Sequence, residues 1–264
     1  MRLKISHRTE YRYDAPLVYA LQRLRLMPKA GPTQTILSWS LEVTGASEEV
    51  RFTDHFENET RLLGLDPGSQ MIVIDAEGEI DTRDTAGVSG EHRGFAPLWL
   101  FQQETPLSTP GEGMRELAAS IGGGSDLDRL HRLMNAITER VAYAAGATHA
   151  GTTAEEALLL GSGVCQDHSH IFASAARLLG FPARYVSGYL MMDTTIDQFA
   201  THAWAEAHVP SLGWVAFDAS NCISPDERYV RMAVGRDYRD AMPVSGIRSG
   251  WAEEQLAVHI TVEQ

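Results

Sequence analysis

Between Gly161 and Asp218 the sequence changes period twice, and each change sets a reactive side chain near the end of an element. Small residues, Gly161-Ser-Gly-Val-Cys165-Gln-Asp, lead into a helical pattern in which Phe172, Ala175, Ala176 and Leu179 recur at three- and four-residue spacing. This spacing predicts a helix with one buried face, opened by Cys165 and closed by Gly180 and Pro182. Ala183 to Met191, rich in Tyr and Val, reads as a strand, and 193–198 as a polar loop. From His202 to Val209, Ala203, Ala205, Ala207 and Val209 alternate with His202, Trp204, Glu206 and His208, the period of a strand, so His202 and Trp204 share a face. Pro210-Ser-Leu-Gly213 reads as a turn, and Trp214 to Asp218 as the returning strand of an antiparallel hairpin.

The register of that hairpin decides what its polar ends can do. A four-residue loop sets Asp218 opposite Ala205, on the wrong face to meet His202; a three- or five-residue loop, or one bulge, turns it to the face of His202. One of these is predicted. Asp218 can then bond one ring nitrogen of His202 while the other faces Cys165, the arrangement of a thiol nucleophile, its base and an orienting carboxylate. A sulfur at a helix N-terminus also lies at the positive end of the macrodipole, which favours the thiolate.

These residues carry a resemblance. Tyr143, Gly146-Ala-Thr148, Thr152-Thr-Ala154, Gly163-Val-Cys-Gln-Asp167, His170, Pro182 through Tyr189, His202-Ala-Trp204, and Gly213 through Asp218 are similar to the core of the transglutaminase-like superfamily. The chain resembles in particular the bacterial transglutaminase-like cysteine peptidases, densely from Tyr143 to Asn221 and more weakly through Val234-Gly-Arg-Asp-Tyr238. The resemblance implies an α+β fold: a papain-like transglutaminase core, with the nucleophile helix packed on an antiparallel sheet, preceded by a small all-β domain. It implies Cys165 as nucleophile, His202 as base and Asp218 as orienter, with no cofactor. It further suggests a partner of the ATP-grasp ligase type and a role in processing a peptide or amide product. His168 and Cys222 depart from the family pattern.

Alternation in Leu3, Ile5, Tyr11 and Tyr13, in Leu37, Trp39, Leu41 and Val43, and the run Met71-Ile-Val-Ile74 read as strands. Past Pro106 the period becomes helical: Leu127, Leu130, Leu133, Met134, Ile137 and Val141 form a stripe, and Ser125 with Asp128 and Thr153 with Glu156 are capping pairs. The expected domains are 1–104, all β, and 105–264, the catalytic core. The 22 basic and 35 acidic residues give a formal charge of −13, which argues against nucleic acid or an anionic membrane as partner. Two cysteines, one of them the proposed nucleophile, favour a reducing compartment. The first residues lack the apolar run of a signal peptide. A cytoplasmic location is expected.

Other polar residues have structural readings. Gln166 and Asp167 brace the helix start; His170, about 140° around the helix from Cys165, makes a core hydrogen bond. Glu206 and His208 are solvated strand residues, Trp204 and Trp214 pack near the site, and Cys222 is an inert thiol. Cys165, His168 and His202 could instead bind zinc, although no fourth ligand is evident. A non-catalytic binding module of the same fold is a further alternative. The predicted chemistry is acyl transfer: thiolate attack on a peptide or carboxamide carbonyl, then resolution of the thioester by water in a peptidase or amidase, or by an amine in a transglutaminase. Hydrolysis is favoured because water needs no dedicated site. The Cys165 N–H is one expected oxyanion donor, and Gln102 or Gln103 a candidate second.

Overall fold

The computed structural model describes residues 1–192 and 195–264; Asp193 and Thr194, which open the expected loop 193–198, lie outside the described residues. The first strand, Arg2–Tyr13, turns Leu3, Ile5, His7, Thr9, Tyr11 and Tyr13 inward on one parity. It lies between the strands Met71–Thr82 and Glu254–Glu263 in an antiparallel sheet, with Gln34–Thr44 and Asp197–Gln198 at the edges. A second sheet orders Val244–Ser249, Tyr19–Leu24, Glu59–Leu65 and Ala46–Thr53. Tyr11, Ile72 and Ile74 of the first sheet pack with Ala20, Leu24 and Leu63 of the second, which makes this part a sandwich. The alternation of the strand Gln34–Thr44 is broken by a bulge: Ile36 pairs Ile80 and Ser38 pairs Glu79, so Leu37 is left over and exposed.

The remaining five-stranded sheet, called the catalytic sheet after the core expected to contain it, orders Tyr229–Gly235, Ala183–Leu190, His202–Val209, Gly213–Phe217 and Val88–Gly90, all antiparallel. On one of its faces lies the helix Cys165–Leu178, enclosed by the helices Glu112–Ser120, Asp126–Arg140 and Ala154–Leu160. Ser125 accepts from Asp128 N at 3.2 Å, and Thr153 with Glu156 forms a reciprocal capping box. The fold is thus α+β, with the Cys165 helix on an antiparallel sheet. Rather than burying one stripe, that helix is buried from Asp167 to Arg177 without interruption, because sheet and helices cover it on all sides. It ends at Gly180, whose φ of 92° only a glycine adopts readily; Phe181 N bonds back to Ala176 O at 2.9 Å.

The expected division at 104/105 is crossed in both directions. Val88–Gly90 leaves the sandwich to pair with Gly213–Phe217, and 244–263 returns to it as two strands. The reason is hydrogen bonding: the strand Arg2–Tyr13 has a long edge that, among the described residues, the strand Glu254–Glu263 covers. Leu3, Ile5, Ile80, Ile260 and Val262 also form one cluster with Tyr189, Val230 and Met232 of the catalytic sheet. A buried polar link runs through it, with His7 Nδ1 at 2.7 Å from the Tyr189 hydroxyl and Nε2 at 3.0 Å from Thr9 Oγ1. Among the described residues no helix is long and apolar enough to cross a membrane.

Candidate active site

Cys165 is the first residue of its helix and is partly exposed. The approach is fixed by Asp167, whose Oδ2 accepts from Val164 N at 2.8 Å and from Thr148 Oγ1 at 2.6 Å. Gly163 leaves room for it: a Cβ there would lie 2.7 Å from Asp167 Oδ2. Gln166 Nε2 donates to Ala150 O at 3.2 Å. Both residues therefore brace the helix start.

The hairpin takes the three-residue alternative. Val209 pairs Gly213 across Pro210, Ser211 and Leu212, and Ala205 pairs Phe217. One step further, Asp218 faces Trp204 and so projects on the side of His202. His202 Nε2 lies 2.6 Å from Asp218 Oδ2, which leaves Nδ1 for the side of Cys165. His202 and Asp218 are thus brought together as the spacing predicts, beside Cys165.

Asp218 is 1% exposed yet fully solvated by protein. Its Oδ2 also accepts from Asn221 Nδ2 and Tyr229 OH, each at 2.8 Å. Oδ1 accepts from Ser220 Oγ at 2.6 Å, Ser220 N at 3.0 Å and Asn221 N at 3.3 Å. Burial works against its charge, but the His202 bond and charge, with Ser220 and Asn221, hold it below the usual carboxylate range. Burial likewise disfavours a charged His202; the Cys165 charge and the bonds to Asp218 and Cys165 outweigh it and raise the ring to about 10.

Aromatic rings hold the imidazole in place. Trp204 stacks on it with centroids 6.3 Å apart, and Tyr229 packs edge-on to Trp204 at 5.4 Å. Gly188, opposite His202 in the neighbouring strand, makes this possible: a Cβ would sit 2.6 Å from the Trp204 ring and 2.1 Å from Val230 O. Tyr185 and Tyr238 pack in one cluster with Cys165, and their phenols, like that of Tyr143, are raised first by burial and then by the Cys165 charge. The sequence reading did not assign Tyr229, Tyr185 or Tyr143 a place at the site; only the family motif marked the last two.

Several other expectations change. Glu206 is buried rather than solvated, because Arg184 in the adjacent strand reaches its Oε2 at 2.6 Å and Ser89 its Oε1 at 2.8 Å. Gln102 donates to Gly180 O at 3.1 Å, beyond the far end of a 14-residue helix from Cys165, and Gln103 follows it there. That helix spans about 20 Å, so neither glutamine can serve the oxyanion. His168 turns Nδ1 to Val164 O and Nε2 to Val141 O, both at 2.9 Å, so its lone pairs are not offered to a metal beside Cys165. His170 does make a core bond, accepting from Tyr238 N at 3.0 Å, and burial with Arg177 and Arg239 lowers it to about 3. Cys222 is exposed, with a left-handed φ of 56° and its sulfur 3.3 Å from Asn135 Oδ1.

Two family models match. The transglutaminase-like superfamily model covers residues 115–219, and that of the bacterial transglutaminase-like N-terminal region covers residues 3–81. An uncharacterized protein of Mycobacterium leprae is 26% identical, over 99% of this chain and 98% of its own length. A protein-glutamine gamma-glutamyltransferase of Pseudomonas aeruginosa is 31% identical over 98 residues, 33% of this chain and 15% of the relative. Among solved structures, a "Putative Cysteine Protease" from Cytophaga hutchinsonii superposes with a TM-score of 0.80 at 22% identity, covering 100% of this chain and 90% of that one.

Proposed function

The chain belongs to the transglutaminase-like superfamily, and from that premise we propose that it is a thiol-dependent acyl-transfer enzyme acting on peptide or carboxamide bonds. The observation that carries this reading is the geometry of His202, bonded at Nε2 to a fully hydrogen-bonded Asp218 and set beside Cys165. Cys165 is the nucleophile, His202 the proton donor and Asp218 the group that fixes the ring.

The thiolate attacks the carbonyl carbon, and the carbonyl oxygen takes the negative charge. The Cys165 N–H, unpaired at the first turn of its helix, is placed to donate to that oxygen. Collapse of the tetrahedral adduct breaks the C–N bond while the imidazolium passes its proton to the departing amine or ammonia. The thioester is then attacked by water, with His202 accepting its proton, which frees the acid and restores the thiolate. Water is the favoured acceptor, as it needs no site of its own. An amine acceptor is the second reading, favoured by the name of the Pseudomonas aeruginosa relative. A free Cys165 and Cys222 fit a reducing, cytoplasmic compartment.

Iodoacetamide labelling between pH 4 and 10, localised by mass spectrometry, tests the pair. Cys165 is expected to react quickly below pH 7 and to slow in His202→Ala, with exposed Cys222 as internal reference. Labelling of Cys165 only above about pH 8, as for an ordinary thiol, and indifferent to His202, would overturn the reading. A glutamine peptide with and without a fluorescent primary amine then separates the two acceptors by ammonia release against amine incorporation.

A further inference from the structure

Away from the thiol, a cavity of about 370 Å³ lies where residues 27–32 and 56–58 of the sandwich face the catalytic sheet. Its volume and its position between two structural layers are those of a small-molecule site. Its walls are fixed by two buried amides that complete the free edge of the strand Tyr229–Gly235. Gln34 Nε2 donates to Arg231 O and its Oε1 accepts from Arg231 N, both at 2.8 Å. Asn58 does the same for Val234, at 2.8 and 2.9 Å. Such bidentate bonding substitutes for a neighbouring strand and holds the wall in one conformation before any ligand arrives.

The charges in the cavity do not balance. Arg184 and Arg231 line it from the catalytic sheet and share one carboxylate, that of Glu206, at 2.5 and 3.7 Å. Arg184 also lies over the Trp214 ring, 3.9 Å from its centroid. On the opposite side Lys29 pairs with Glu57, and at the rim Arg93 pairs with Glu91 at 3.8 Å. Lys29, Arg93, Arg184 and Arg231 thus face Glu57, Glu91 and Glu206, which leaves one positive charge. The surplus falls on Arg231, the more distant of the two arginines from Glu206 and the more exposed, 28% against 8%.

We propose that this cavity binds the carboxylate of a small organic acid or peptide end, with Arg231 as the principal ligand and Arg184 behind it. A planar carboxylate matches the guanidinium fork and supplies the single negative charge the cavity lacks. A phosphate would bring a second charge toward Glu57 and Glu91. The site does not depend on the acyl-transfer reading: Glu206 is four residues from His202 along one strand, roughly 13 Å, with Trp204 between them.

The test is NMR of uniformly ¹⁵N-labelled protein, following the Arg231 Nε–H and the Trp214 and Trp204 indole signals during titration with N-acetylglycine. Sodium chloride and inorganic phosphate at matched ionic strength are the controls. Saturable displacement of the Arg231 and Trp214 signals by N-acetylglycine is expected in the wild type and equally in Cys165→Ala, which keeps this test separate from the fate of the thiol chemistry. Arg231→Lys, which retains the charge and loses the fork, should bind about tenfold more weakly, and Arg231→Met should not bind. Equal displacement by chloride, tighter binding of phosphate, a response at Trp204 alone, or undiminished binding by Arg231→Lys would each overturn the proposal.

Discussion

Replacing Asp218 by Asn keeps the shape of the side chain and tests whether its charge or its shape matters. Each carboxylate oxygen accepts three hydrogen bonds, so the new NH₂ must face donors wherever it points. At Oδ1 two of the donors are the backbone N–H groups of Ser220 and Asn221, which cannot turn away. At Oδ2 the Tyr229 hydroxyl can rotate, the Asn221 amide can flip and His202 can move its proton from Nε2 to Nδ1. The amide therefore settles with NH₂ toward His202, and the ring becomes a neutral acceptor at Nε2. Raising His202 from 6.5 to about 10 corresponds to roughly 5 kcal/mol in favour of the imidazolium. Asp218 provides two of the four favourable contributions and Cys165 the other two. Loss of the carboxylate should then forfeit about 2–3 kcal/mol, which slows Cys165 alkylation at pH 6 about 30- to 150-fold. The assay is the iodoacetamide rate at Cys165, with a thermal melt to show that the variant is folded. A folded Asp218→Asn protein that labels within about threefold of wild type would refute the reasoning, since no comparable electrostatic contribution would then come from Asp218.

Three further outcomes follow from the same contacts. Tyr229→Phe removes one charge-assisted bond to Asp218 and should cost about 1.5 kcal/mol at pH 7. Because the depressed Asp218 stabilises the fold above its unfolded value and loses that effect as pH falls through its folded value, the acid-unfolding midpoint should rise by up to about one pH unit; coincident midpoints would contradict this. Glu206→Gln leaves Arg184 and Arg231 without their shared carboxylate, and urea unfolding at pH 7 should show a loss of about 3–5 kcal/mol; a loss within error of zero would show that the pair contributes nothing. Gly188→Ala should lower stability by about 2 kcal/mol or more, because a backbone oxygen at 2.1 Å cannot yield as a flexible side chain could, and the displaced Trp204 should slow Cys165 labelling as well; an unchanged melting temperature would count against the packing argument.

What could be read in advance was local. The alternation His202–Val209, the capping residues Ser125 and Thr153 and the inward parity of the strand Arg2–Tyr13 each depend on neighbours within a few residues. The hairpin register was narrowed for the same reason, since only one face brings Asp218 to His202. What was missed depends on partners distant in sequence. Glu206 reads as a solvated strand residue until Arg184 arrives beside it, and Leu37 reads as core until the bulge shifts it out. Gln102 looked able to reach the thiol because its sequence context says nothing about which end of the helix it meets. Of the six hydrogen bonds on the Asp218 carboxylate only the one to His202 is expected from the sequence; Ser220 and Asn221 turn back onto it after the strand, and Tyr229 comes from another strand.

The return of Glu254–Glu263 to the side of Arg2–Tyr13 ties the maturation of the site to a segment far along the chain from its first strand. A chain released residue by residue has its helix and the His202–Asp218 hairpin early, but the first strand keeps an open edge until residue 263 has emerged. Ile260 and Val262 also pack in the cluster holding Val230, the neighbour of Tyr229 in the strand that supplies a bond to Asp218. Pairing over so long a separation is slow and late in folding. Cys165 therefore reaches its final electrostatic setting only after residue 263 has emerged, so a chain cut short of that point carries the thiol without the full support of Asp218.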